Sequence, residues 1–153
     1  MPRRGRCGTI EAMNLSRSVD VTSRYARILG FAYQVLGDAA LAAQAANTVC
    51  LRYAHSGGDD RDFWHQAVTV LHDYLARGFV VRPLLPEGQH AALLSALHRL
   101  EPAERMIVLL RYHEGLTIAD LEAVMAIDQA TIRRVLAQAR GSLLDWTGVR
   151  DAV

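Results

Sequence analysis

The sequence predicts an all-α protein in two units: a three-helix N-terminal domain and a four-helix C-terminal domain built around a helix-turn-helix. Three observations carry this prediction. Apolar residues recur at spacings of three and four along successive segments, which places them on one face of a helix. Glycine, proline or a capping Asp or Thr stands between the segments, where each ends one helix or begins the next. Alanine and leucine are abundant while phenylalanine and tryptophan are few, a composition that favours helix.

Residues 1–18 are expected to be disordered. They carry positive charge but neither an apolar stretch nor a small-residue cleavage site, so they do not read as a secretory signal. Met13 is an alternative start, which would leave Arg3, Arg4 and Arg6 without a function. The domain at 19–77 opens with Tyr25, Ile28, Leu29, Ala32, Tyr33 and Leu36 on one helical face, closed by Gly37. Asp38 can cap the next helix, whose stripe of Ala42, Ala45, Ala46, Val49, Cys50 and Tyr53 is small enough for neighbours to approach closely. After a turn at Ser56 to Asp60, a third helix buries Phe63, Ala67, Val70, Leu71 and Tyr74.

Residues 78–90 form the linker, because Pro83 and Pro86 each remove a backbone donor and restrict the residue before them. Four helices follow in a domain at 91–147: Ala91 to Leu100, Pro102 to His113, Thr117 to Met125, and Asp128 to about Trp146. Pro102 suits a first helical position and Gly115 a helix end. Thr117 and Asp120 have the spacing of a capping box, and Asp128 can cap the last helix.

A formal charge of +1 over 153 residues gives no bulk field for nucleic acid or membrane, so any DNA contact must be local. All 17 basic side chains are arginine, which fits coding bias in a GC-rich genome as well as selection for phosphate. No run approaches a membrane span. Cys7 and Cys50 form neither a Cys-x-x-Cys pair nor a metal spacing, and a reduced, cytoplasmic interior is expected. His65 and His72 lie two helical turns apart, roughly 10 Å along the axis, too far to share a metal. His113-Glu114 lacks the second histidine of a zinc-protease helix. With no phosphate-cradling glycine loop and no Gly-x-Ser-x-Gly elbow, the expectation is no enzyme, no cofactor and no metal.

The informative segment runs from Thr117 to Arg140. A short support helix, a tight turn at Ala126 to Asp128 and a longer second helix have the layout of a helix-turn-helix that binds double-stranded DNA. Leu116, Ile118, Leu121, Val124, Met125, Ile127, Ile132, Val135, Leu136 and Ala139 supply the shared core, leaving Gln129, Thr131, Arg133, Arg134 and Gln138 near the exposed side, with Arg140 beyond them. Arginine can fork onto guanine, glutamine onto adenine, and Thr131 or the helix start can bond phosphate.

From Leu94 to Asp145 the chain resembles region 4 of sigma-70 family RNA polymerase sigma factors, above all the small two-domain extracytoplasmic-function type. The likeness rests on Leu100 and Pro102 with Glu104-Arg105, Leu110-Arg111-Tyr112, Glu114-Gly115-Leu116-Thr117, Thr131-Ile132-Arg133 and Ala139-Arg140, without a gap. The resemblance implies promoter recognition at the −35 element by the second helix of the motif and docking of the domain on the polymerase flap. Two residues depart from it. Glu122 stands where the family has a small alanine, and Ala126 replaces the turn glycine. A glutamate buried unpaired at that crossing would cost several kcal/mol, so Glu122 must reach solvent or a partner, or the crossing must widen.

The first half resembles region 2 more faintly, through Tyr25 to Leu36-Gly37-Asp38. Where the family grips the polymerase clamp with an acidic, glutamine-containing motif, this chain reads Ala42-Ala43-Gln44-Ala45-Ala46-Asn47-Thr48, followed by Leu51 and Arg52. Asn47, Leu51 and Arg52 are therefore the implied polymerase contacts, without the usual charges. Trp64, Asp73, Leu75 and Arg77 fall near landmarks of the −10 helix, with Trp64 and Asp73 about two residues too close. The implied partners are promoter DNA, the polymerase core and an anti-sigma protein. Two other readings stay open: a sigma-like interaction module that binds a sigma factor, an anti-sigma protein or polymerase without initiating, and a free-standing helix-turn-helix regulator.

Overall fold

Local interactions make each helix boundary in the computed structural model, which describes residues 7–78 and 91–147. Helix α1 spans Cys7–Leu36 and stops at Gly37, which takes a left-handed φ of 73°. Asp38 accepts a hydrogen bond from the Leu41 amide at 2.8 Å and starts α2, Ala39–Ser56. A reciprocal box between Asp59 and Asp62 begins α3, Asp60–Ala76. The second half holds α4, Ala91–Arg99; α5, Pro102–Tyr112; α6, Ile118–Met125; and α7, Gln129–Thr147. Among the described residues these seven helices occur with no strand.

One expectation is corrected. Residues 7–18, read as disordered, are the first turns of α1. Extending a helix already anchored by packing needs no new nucleus, and no proline interrupts Cys7 to Leu36. Residues 1–6, and the predicted linker apart from Gly78, lie outside the described residues.

Helices α1, α2 and α3 close around Ile28, Ala32, Val35, Ala42, Ala45 and Ala46 of α2, and Phe63 with Trp64, all essentially inaccessible. Phe31, Trp64, Phe63 and Tyr53 meet edge to face with centroids 5.3 Å apart, a favourable arrangement for ring quadrupoles. In the second half every residue from Arg105 to Leu110 is buried, so α5 is covered all round rather than on one stripe. Helix α7 packs across α4, α5 and α6.

The halves share one continuous apolar cluster, with α3 against α6 and α1 against α5. Arg105 fastens this seam. Only 4% exposed, its guanidinium donates to the carbonyl oxygens of Val35 at 2.8 Å, Leu97 at 2.8 Å, and His98 and Leu100 at 3.0 Å each. These carbonyls lie at the C-terminal ends of α1 and α4, where unpaired oxygens and the helix dipole both favour a cation. Burial pushes the Arg105 guanidinium pKa below its usual range, while the Glu101 carboxylate opposes the shift. Around the rim, Arg27 reaches Glu114 at 3.1 Å, Arg61 reaches Asp120 at 2.6 Å, and the His65 ring meets the Val124 carbonyl at 3.3 Å.

Replacing Arg105 with alanine strands several buried carbonyls at once and should lower stability by about 3 kcal/mol or more. Arg105→Lys should recover little, because an ammonium cannot span the same fork of acceptors. Thermal unfolding followed by circular dichroism measures both, and an alanine variant that melts with the parent would remove Arg105 from this role.

Candidate nucleic-acid interface

The start of α6 is pinned by its own sequence. The Asp120 amide donates to Thr117 Oγ1 and the Thr117 amide to Asp120 Oδ2, each at 3.1 Å. Hydrogen bonds from Thr117 hold the Asp120 carboxyl below its usual range, and Arg61 adds to them. After α6 the chain turns at Ala126, whose φ of 54° and ψ of 39° are left-handed. It is the one positive-φ residue other than glycine among those described. Asp128 then accepts from the Thr131 amide at 2.9 Å and the Thr131 hydroxyl at 2.7 Å, which depresses the Asp128 pKa and sets the direction of α7.

Leu116, Leu121, Val124 and Met125 close over Ile132, Leu136 and Ala139. Ile118, Ile127 and Val135, also expected in this core, are partly buried against it. Of the predicted contact residues, Arg133, Arg134, Gln138 and Arg140 are exposed, and Gln129 and Thr131 half-buried. At 3.6 residues per turn they form two flanks: Gln129, Arg133 and Arg140 on one, Thr131, Arg134 and Gln138 on the other, with Ala130 and Ala137 between. The Thr131 hydroxyl has already given its single proton to Asp128, so in this geometry it has none left for a phosphate.

The first flank is more than a helix surface. Arg111, Tyr112, Arg133 and Arg140 line a groove of about 490 Å³ floored by Ile118 and Leu136. Arg111 and Tyr112 were not among the predicted contacts. Their signal lay in the apolar run of α5, which ends in an arginine and an aromatic residue, Tyr112 being 61% exposed. Tyr112 also walls a second groove of about 450 Å³, apolar and bounded by Leu93, Val108, Leu143 and Leu144.

Glu122 resolves its conflict by facing solvent, where its carboxylate accepts from Gln129 Nε2 at 2.8 Å. Gln129 Oε1 in turn lies 3.5 Å from Arg133 Nη2. In the first half, Asn47, Leu51 and Arg52 are exposed on α2, Leu51 by 72%. Trp64 is 1% exposed beneath Arg27 and between Phe31 and Phe63, so no nucleotide base can stack on it as packed. Among the described residues no group of three metal-ligating side chains assembles, and no helix is long and apolar enough to cross a membrane.

Residues 90–143 match the family model described as sigma-70, region 4. No curated protein matches the sequence. Among solved structures, the fold is similar to the sigma factor RpoE from Bartonella quintana, determined in complex with the anti-sigma factor NepR. The TM-score is 0.74 at 12% identity, covering 88% of this chain and 98% of that one.

Two outcomes follow from the motif's backbone and caps. A Cβ at left-handed φ is strained, so Ala126→Gly should raise stability by about 0.5–1 kcal/mol, read as a higher midpoint in denaturant melts. Asp120 and Asp128 have folded-state pKa values below 3.8. Their stabilisation is therefore complete above that value and is lost as pH falls through the lowered ones. Acid titration of helicity should show this limb below pH 3.8, and Asp128→Asn, which keeps the accepting oxygen but cannot titrate, should weaken it.

Proposed function

We propose that this chain, whose residues 90–143 match the sigma-70 region 4 model and whose fold is similar to that of a sigma factor, is a divergent extracytoplasmic-function-type sigma factor. It binds the −35 element of double-stranded promoter DNA through α7 while associated with the RNA polymerase core, in the cytoplasm. The observation that carries this reading is the groove in which Arg111, Arg133 and Arg140 converge beside an exposed tyrosine. Arginine supplies both the bidentate fork for guanine and the charge for phosphate.

Charge explains why polymerase is needed. From Ala91 to Val153, seven arginines face eight acidic side chains. A domain with net charge −1 gains little from counterion release beyond its few local contacts. Tethering to polymerase supplies the missing affinity as effective concentration over the promoter. The apolar groove beside Tyr112 suits a partner helix laid in by its hydrophobic face, as expected of the polymerase flap or an anti-sigma protein. Asn47, Leu51 and Arg52 offer α2 to the clamp.

A second reading is favoured by one specific observation. Trp64 lies inside the aromatic core, and the α2 segment Ala42 to Thr48 carries no charge, so neither an acidic grip on the clamp from that segment nor base stacking on Trp64 is on offer. On this reading the chain is an interaction module that binds a sigma factor, an anti-sigma protein or polymerase without initiating. Run-off transcription with core polymerase and a genomic promoter library separates the two. New transcripts that depend on the chain support initiation, and polymerase binding without transcripts supports the module.

The double variant Arg133→Ala, Arg134→Ala should abolish promoter binding by the assembled holoenzyme with helicity and melting midpoint nearly unchanged, since solvated arginines contribute little to folding. Electrophoretic mobility shift of a promoter duplex measures it. Binding as tight as the parent's would move recognition away from α7.

A further inference from the structure

We propose that the apolar groove between α4, α5 and α7 is a docking site for the chain's own run Phe79 to Pro86, so that in the free chain this run occupies the site a partner helix must enter. The inference concerns the regulation of the groove assigned above to a partner helix, and its effect on polymerase rests on that reading.

The groove has a volume of about 450 Å³ and is walled by Leu93, Val108, Tyr112, Leu143 and Leu144. Leu93 is 46% exposed and Tyr112 61%, so apolar surface stands open to water until an occupant removes it. Residues 79–90 connect Gly78, at the end of the first half, to Ala91, the first residue of α4. Ala92 and Leu93 already line the groove, so the connecting chain ends at its mouth. Fully extended, six residues reach roughly 20 Å, which lets Leu85 span a cavity of this size from Ala91.

Composition and charge select this run as the occupant. Phe79, Val80, Val81, Leu84 and Leu85 make it strongly apolar, and seating them in the groove takes both surfaces out of water. Pro83 and Pro86 bring no backbone N–H, which leaves fewer donors to desolvate against an apolar wall. Glu87, directly after the run, is the one acidic residue in 79–90, and Arg140 is the one charged residue lining the groove, so the charges of segment and site are complementary. Residues 148–153, which begin beside Thr147 of the same groove, offer only valine and alanine as apolar side chains. Tyr112, Arg140 and Leu144 also wall the arginine groove. An occupant of the apolar groove therefore shares these side chains with the DNA-facing side of α7.

The test uses the full-length chain carrying Cys7→Ser and Cys50→Ser. One variant adds Leu85→Cys and Thr147→Cys, the latter position lining the groove. The control adds Leu85→Cys and Gln138→Cys, the latter exposed on α7 outside the groove. Under mild oxidation the groove pair should close an intramolecular disulfide about tenfold faster than the control pair, because docking raises the local concentration of one thiol at the other. Equal rates overturn the proposal, and so does a disulfide found only between two copies, which assigns the groove to a second copy instead. With the native cysteines, Leu84→Ser together with Leu85→Ser should raise affinity for RNA polymerase core about fivefold, as expected of a site left open about one-fifth of the time in the parent. Helicity and melting midpoint verify that the variants fold. A groove-selective disulfide with unchanged polymerase affinity upholds the docking and removes polymerase as the partner of this groove. Equal disulfide rates in a chain that still binds polymerase and its promoter remove the docking alone.

Discussion

The buried guanidinium of Arg105 is the constraint on which the arrangement of the helices depends. Placing a cation in a protein interior is costly unless its hydrogen-bonding capacity is met, and here, among the described residues, no carboxylate hydrogen-bonds to it. The acceptors are carbonyl oxygens at the ends of α1 and α4, groups that carry partial negative charge and lack the full amide pairing of a helix interior. One side chain thus solves two desolvation problems, its own and that of two helix ends. Because Arg105 belongs to α5, the fully covered helix of the second half, meeting those acceptors fixes the second half on the first. The Arg61–Asp120 ion pair at the seam is secondary. Arg61 and Asp120 are 57% and 24% exposed, a setting in which solvent leaves such pairs about 0–1 kcal/mol.

Helix α6 stands between this seam and the recognition helix and serves each with a different side. Asp120 and the Val124 carbonyl face the first half, Leu121 and Met125 lie within the shared core, and Glu122 faces solvent beside Gln129. Its start depends on residues within the motif, Thr117 and Asp120, as α7 depends on Asp128 and Thr131. The geometry between the two helices is therefore set locally. What the first half contributes is position, through Arg61 and the packing of α3.

Helix order and most boundaries were legible in the sequence because they are local. Gly37, Asp38, Thr117 with Asp120, and Asp128 each act on the next three or four residues, and each does so in the structure. Residues 7–18 were misread because composition weighs a segment alone, whereas a helix already fixed downstream extends at low cost. Arg105 was visible as a family landmark beside Glu104, but nothing local shows that one of its acceptors, the Val35 carbonyl, lies some 70 residues away on α1. The groove at Arg111 and Tyr112 was hidden for the same reason, since only the packing of α5 on α7 brings those residues to Arg133 and Arg140. Glu122 was legible as a departure, and its partner Gln129 became evident only with the crossing of the two helices.

The two tryptophans of the chain fall one in each half and in opposite surroundings. Trp64 is enclosed at the seam, edge-on to two phenylalanines and under the Arg27 guanidinium. Trp146, 38% exposed, lies against Arg99 where α7 meets α4. An indole in dry surroundings emits at shorter wavelength than one in water, so the molecule carries a blue-emitting reporter of the junction between its halves and a red-emitting reporter of the far end of its recognition helix. Separation of the halves would wet the first and leave the second unaltered, a spectroscopic distinction between opening and unfolding built into the native sequence.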